Sequence, residues 1–116
     1  MQDDRSAMTN TIVLITGSNT GLGLATVQAL LSNPIKAKYT VILTSRSHER
    51  SMTAVETLGK DETFEPAFSA GSELVPMQLD LDDERSVESI RKEVEEKFGR
   101  LDVLVNNAGE PKVLVE

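Results

Sequence analysis

Cysteine is absent from the chain, and that one absence removes disulfides, thiolate catalysis and cysteine-held metal sites together. A single histidine, His48, is too few for a histidine-rich metal site. No metal is therefore expected. Tryptophan is missing too and aromatics make up only 3% of the residues, in a composition otherwise ordinary for a globular protein. Positive charge is in deficit: the formal net charge of −7 argues against a nucleic acid or an anionic membrane as the main partner. Long apolar runs are lacking, since Thr11–Ile15 and Leu22–Leu31 are too short or too broken to cross a bilayer. The opening MQDDRSAMTN carries aspartates where a signal peptide needs positive charge followed by an apolar run. The expected location is cytoplasmic.

What the chain does have is an apolar pattern that changes period along its 116 residues, enough for one domain with a layered core. TIVLIT (Thr11–Thr16) is short, β-branched and continuous, as a strand covered on both faces should be. Gly17 to Gly23 interrupts it. Good helix formers then run through Leu22–Leu31, with Pro34 ending the helix. YTVILT (Tyr39–Thr44) predicts a second buried strand. His48–Lys60 predicts a helix, with Met52, Val55 and Leu58 at three-residue spacing and Gly59 as its stop. Asp61–Glu73 reads as a loop whose Phe64 and Phe68 tuck against the domain.

ELVPMQLD (Glu73–Asp80) predicts a third strand, provided Pro76 falls where no ladder donor is needed. Asp83–Phe98 predicts the clearest helix, with Val87, Ile90, Val94 and Phe98 on one face. Asp82 or Asp83 caps its start and Gly99 its end. LDVLV (Leu101–Val105) predicts a fourth buried strand. Buried strands alternating with helices mean an α/β chain with a doubly wound parallel sheet. The domain is expected over residues 11–109, with a polar tail at 1–10 and a short tail at 110–116.

TGSNTGLG (Thr16–Gly23) joins the first strand to the first helix. Gly17 lets the chain turn off the strand, while Gly21 and Gly23 allow close approach of a phosphate or a neighbouring strand at the helix's positive end. Such a glycine triplet is weak evidence alone, but its place after the first strand suits a dinucleotide site. Together with LDLDD after the third strand and LDVLVNNAG at the fourth, it resembles the classical short-chain dehydrogenase/reductase family. The resemblance covers nearly all the chain after its tail, and only the N-terminal half of a family member. It implies a truncated Rossmann-type sheet in the order 3-2-1-4.

It further implies that Gly17, Ser18, Asn19 and Leu22 lie along the cofactor's pyrophosphate and adjoining ribose. Asp80 would accept a hydrogen bond from the adenine amino group, with the backbone of Leu81 beside it. Asn107, Ala108 and Gly109 would line the cleft, and Asn106 and Thr16 would tie the fourth strand to the glycine turn. Asp102 reads as structural. An NAD site usually places an acid at the end of the second strand. Here that stretch reads LTSR, with Ser45 in the acid's place and Arg46 after it. A guanidinium clamps a 2′-phosphate that a carboxylate would repel, which favours NADP over NAD.

The family's chemistry belongs to a serine and a Tyr-x-x-x-Lys pair, in which the lysine's charge lowers the tyrosine's pKa. The only tyrosine is Tyr39, and Leu43 stands four residues on. No catalytic residue is assigned. The leading reading is the cofactor-binding half of an NADP-dependent oxidoreductase acting on a small alcohol or carbonyl substrate. The alternatives are a non-catalytic nucleotide-binding module and a structural partner that pairs through an open sheet edge. By itself the segment is expected to bind the adenosine end of a nucleotide weakly, to catalyse nothing, and to self-associate through an exposed Leu101–Val105 edge.

Overall fold

A computed structural model describes residues 10–32 and 37–107. Pro34, Ala108, Gly109 and both expected tails other than Asn10 lie outside the described residues. The elements are β1 (Thr11–Ile15), α1 (Gly21–Leu31), β2 (Tyr39–Ser45), α2 (His48–Gly59), a 3-10 turn (Glu62–Phe64), α3 (Glu65–Ser69), β3 (Glu73–Gln78), α4 (Glu84–Phe98) and β4 (Val103–Val105). The strands form one four-stranded sheet in the order β3-β2-β1-β4, and every pairing is parallel.

The continuous apolar runs are explained by burial on both faces, because successive side chains of a strand point to opposite sides. Val13, Ile15, Val41 and Leu43 pack against Val27 and Leu31 of α1, Leu58 of α2 and Phe64. Ile12, Leu14, Ile42, Met77 and Leu79 pack on the other side against Ile90 and Val94 of α4. The helices therefore cover both faces. Ile15, Val41, Ile42 and Leu43 are fully buried, and each contributes about 1.5–3 kcal/mol relative to an exposed side chain.

Local signals set the helix ends. Asp83 accepts a hydrogen bond from the Arg85 amide at 2.9 Å, so it and not Asp82 caps α4. Gly99 closes the same helix at φ +75°, a left-handed conformation suited to glycine. Pro76 is harmless for a geometric reason. The Leu79 amide donates to the Ser45 carbonyl at 2.8 Å, so by alternation the backbone of Pro76 faces away from β2, toward the open edge of the sheet.

The structure departs from the sequence expectation at several elements. The expected loop at Asp61–Glu73 contains the 3-10 turn and α3. Asp61 accepts from the Thr63 amide at 2.9 Å to start the turn, and Pro66 sits in the first turn of α3. Phe64 is buried and Phe68 packs against the core, as expected. α2 ends at Gly59 as expected, though without a left-handed turn: Gly59 is the last helical residue, and Lys60 caps the helix in a right-handed conformation. Met52 is exposed although Leu58 is buried, because three-residue steps drift around a helix that has 3.6 residues per turn. Ser51, Val55 and Leu58 follow the true face. Val87 is likewise exposed.

β4 meets one expectation and corrects another. It lies at the sheet edge, as expected for Leu101–Val105, but the run read as a buried strand is short and has Leu104 59% exposed. Only β1 flanks it among the described strands. Its register is held by a side chain: Asp102 Oδ2 accepts from the Ile12 amide at 2.8 Å, while the Asp102 amide donates to the Ile12 carbonyl at 3.0 Å. Arg100 completes the clamp, with Nε 3.1 Å from Asp102 and a terminal nitrogen donating to the Asn10 carbonyl at 2.6 Å. The Ile12 amide, with Arg100 beside it, holds the Asp102 carboxyl below its usual range. A depressed folded-state pKa contributes stability fully above the unfolded value of about 3.9, and that contribution is lost as pH falls through the folded value. Asp102→Asn is thus expected to lower the urea midpoint at neutral pH and to weaken the loss of stability on acidification below about pH 4. Identical acid dependence in the two proteins would count against the clamp.

Candidate functional site at the carboxyl ends of the strands

In a parallel sheet all strands end at one edge, and ligands gather where the winding direction reverses. Here β1 leads to β2 on one side, while β3 crosses back to β4 on the other. The reversal point lies between β1 and β4. It carries the glycine turn.

The three glycines divide the work. Gly17 at φ +56° and Gly21 at φ +60° adopt left-handed backbone that other residues take at a cost. Gly23 is buried inside α1, where an added Cβ would lie 2.7 Å from Ser18 Cα and 2.7 Å from Asn107 Nδ2 and would press on the Gly17 carbonyl. It is the close packing of helix, turn and β4 that requires glycine there. Around Gly21, by contrast, an added Cβ would meet open space. The first turn of α1 has no acidic residue, and Thr20 makes no side-chain cap bond. Its amides lack intrahelical acceptors and carry the positive end of the helix dipole. Leu22 projects beside them, 78% exposed.

Several residues expected at the cofactor turn inward. Ser18 is fully buried. Its Oγ donates to the Ile15 carbonyl at 2.8 Å and accepts from the Thr44 amide at 3.0 Å. Ser45 is buried and bonds to the Ser47 backbone, with Ser51 Oγ 3.0 Å away. Asn107 donates from its amide to Thr16 Oγ1 at 2.7 Å, and from Nδ2 to the Gly17 carbonyl at 3.2 Å. Thr16 Oγ1 also lies 3.3 Å from Asn106 Oδ1. Thr16 and Asn106 tie β4 to the glycine turn as expected, and Asn107 joins them. Sequence reasoning missed Thr44, whose Oγ1 donates to the Ile15 carbonyl at 2.9 Å, and Ser51, whose Oγ donates to the Met77 carbonyl at 2.9 Å. A small polar residue inside a helix face, as Ser51 is, was the available signal.

Other expected residues face solvent. Arg46 follows β2 with its guanidinium 3.6 Å from the Asp82 carboxylate. Asp80 follows β3; its Oδ1 accepts from the Asp82 amide at 3.0 Å, and its own amide donates to Ser86 Oγ at 2.9 Å. Leu81 is exposed beside it. Asn19 reaches the rim of a groove of about 580 Å³ between α1 and α2, which Arg50, Leu24 and Leu58 also line. Among the described residues no three His, Cys, Asp or Glu side chains are grouped to hold a metal ion, and no helix is long and apolar enough to cross a membrane.

Comparison with known proteins agrees with this architecture. The short chain dehydrogenase family model matches residues 11–115. The short-chain dehydrogenase anuI of Penicillium roqueforti (strain FM164) is 42% identical over 104 residues, 90% of this chain and 37% of that protein. Carbonyl reductase (NADPH) 1 of Bos taurus is 37% identical over 100 residues, 86% of this chain and 32% of that protein. The solved menthone neomenthol reductase from Mentha piperita superposes with a TM-score of 0.73 at 38% identity, covering 88% of this chain and 32% of that one. The chain spans about a third of the length of the curated relatives it matches.

The packing at Gly23 generates a prediction. Gly23→Ala must push α1 off the turn or displace Asn107, and is expected to cost about 1–3 kcal/mol, the range for overpacking a tight site. Urea unfolding measures it. An unchanged midpoint would mean that helix and turn are not pressed together.

Proposed function

This chain belongs to the short-chain dehydrogenase family of oxidoreductases, and from that premise we propose that it forms the NADP-binding part of a reductase acting on a small alcohol or carbonyl compound. The unit is assigned to residues 11–109, flanked by segments 1–10 and 110–116. When bound, the cofactor supplies a hydride at its nicotinamide. The residues of this chain hold and orient it.

The observation that carries this reading is a cationic side chain directly after the position where an NAD site would carry an acid. Ser45 is buried and internally bonded, so it offers no carboxylate and little polar surface to a ribose. Arg46 is next in line and exposed. The uncapped, acid-free start of α1 suits the pyrophosphate, and Gly21 leaves room for it. On this reading Gly17, Ser18, Asn19, Leu22 and Gly23 shape the phosphate-binding turn, with Ser18 and Gly23 acting through the frame and not by contact. Asp80 and Leu81 meet the adenine. Asn107, with Ala108 and Gly109, continues the cleft toward the nicotinamide. The name of the Bos taurus relative, a carbonyl reductase that uses NADPH, supports both the cofactor and the substrate class.

Acid/base chemistry is not assigned to this segment. Tyr39 begins β2, and Leu43, the residue four on, is fully buried in the sheet. Neither tunes a proton at a carbonyl.

Arg46→Asp is expected to weaken NADP binding by on the order of 1.5–3 kcal/mol, the scale of a charge-assisted hydrogen bond, and to improve NAD in relative terms. Calorimetric titration of both cofactors against both proteins measures this. An unchanged NADP/NAD ratio would remove Arg46 from the site.

A further inference from the structure

Arg46 already has a partner. Its guanidinium lies 3.6 Å from Asp82, with the two side chains 74% and 83% exposed. Backbone contacts place both residues. The Asp82 amide donates to Asp80 Oδ1 at 3.0 Å in a short turn after β3. Gln78 Nε2 donates to the Arg46 carbonyl at 3.0 Å, holding the end of β2 against β3. The ion pair therefore bridges the two loops that border the ribose side of the crevice.

We propose that Asp82 is a counter-ion that competes with the cofactor's 2′-phosphate for Arg46, and so sets how strongly the chain prefers a phosphorylated nucleotide. The proposal rests on the reading of Arg46 given above. Asp82 touches no reacting atom and acts as a positioning residue, through the arginine. A phosphate accepting paired hydrogen bonds from the guanidinium must displace this carboxylate or sit within a Debye length of its charge.

Two effects of Asp82 oppose each other. It pre-orients Arg46, which favours the phosphate, and it occupies Arg46 while repelling the phosphate, which does the reverse. Geometry decides between them. The contact is one nitrogen–oxygen approach, longer than a good hydrogen bond and between exposed side chains. Such a contact freezes little of the arginine's rotamer freedom. Repulsion between charges needs no such alignment. Asp82 therefore weakens phosphate binding on balance.

The test uses adenosine 2′,5′-bisphosphate and AMP, which differ by the 2′-phosphate, titrated into the wild-type chain, Asp82→Asn, Asp82→Glu, Arg46→Gln and the Asp82→Asn/Arg46→Gln double variant. Asp82→Asn keeps the backbone turn, because the residue's amide and not its carboxylate bonds to Asp80. It is expected to tighten the bisphosphate about two- to fivefold, the scale of an exposed ion pair, while AMP affinity holds. Asp82→Glu should stay near wild type, and the gain should vanish in the double variant. If Arg46→Gln lowers the bisphosphate/AMP ratio while Asp82→Asn fails to raise it, the counter-ion is refuted and the arginine reading stands. If Arg46→Gln leaves the ratio unchanged, the arginine reading falls and the counter-ion falls with it.

Discussion

The carbonyl of Ile15 is where this fold turns into a site. It ends the strand paired on both sides, amid fully buried side chains, and a buried carbonyl left without a donor is costly. Ser18 and Thr44 both donate hydroxyls to it. Ser18 also accepts from the Thr44 amide, so one hydroxyl closes the end of β1, holds β2 and draws the glycine turn inward. The left-handed Gly17 makes that inward fold accessible. The glycine turn and the open start of α1 follow directly from this knot.

Side-chain bonds to backbone hold the sheet at both of its ends. Asp102 continues the β1–β4 ladder below the strands, and Thr16 with Asn107 continues it above. A strand as short as Val103–Val105 has few ladder bonds of its own, and these flanking contacts fix its register where main-chain pairing alone would allow slippage. The same contacts deliver Asn107 to the floor of the crevice, against Gly17 and Gly23. Stability at the far end and geometry at the site are thus linked through a single strand.

Polarity is sorted by depth. Within the knot the polar groups are neutral hydroxyls and amides, small enough to be satisfied by backbone; charges stay at the rim, where water screens them. Arg46 and Asp82 illustrate the rim case. Their attraction is weak enough for a ligand to reorganise it, which a buried pair would resist.

Strand positions, the glycine turn, the acidic cap of α4 and its Gly99 stop were legible in the sequence, because apolar period and backbone freedom are properties of adjacent residues. The motif order also carried the strand order, through resemblance. Other features depended on what each element meets in space. The Asp61–Glu73 stretch carries local helix-start signals, the Asp61 cap and Pro66, but Phe64 and Phe68 reach the core only through packing that the sequence does not record. The apolar run of LDVLV alone suits a strand covered on both faces; its exposure follows from its place at the sheet edge, which the resemblance and not the local pattern implied. Ser18 and Ser45 are polar residues in a motif, and only packing shows their hydroxyls turned inward. The sequence by itself determined which residue types stand at the crevice; tertiary structure decided which of them hold the frame and which face solvent, since that depends on partners brought from other strands.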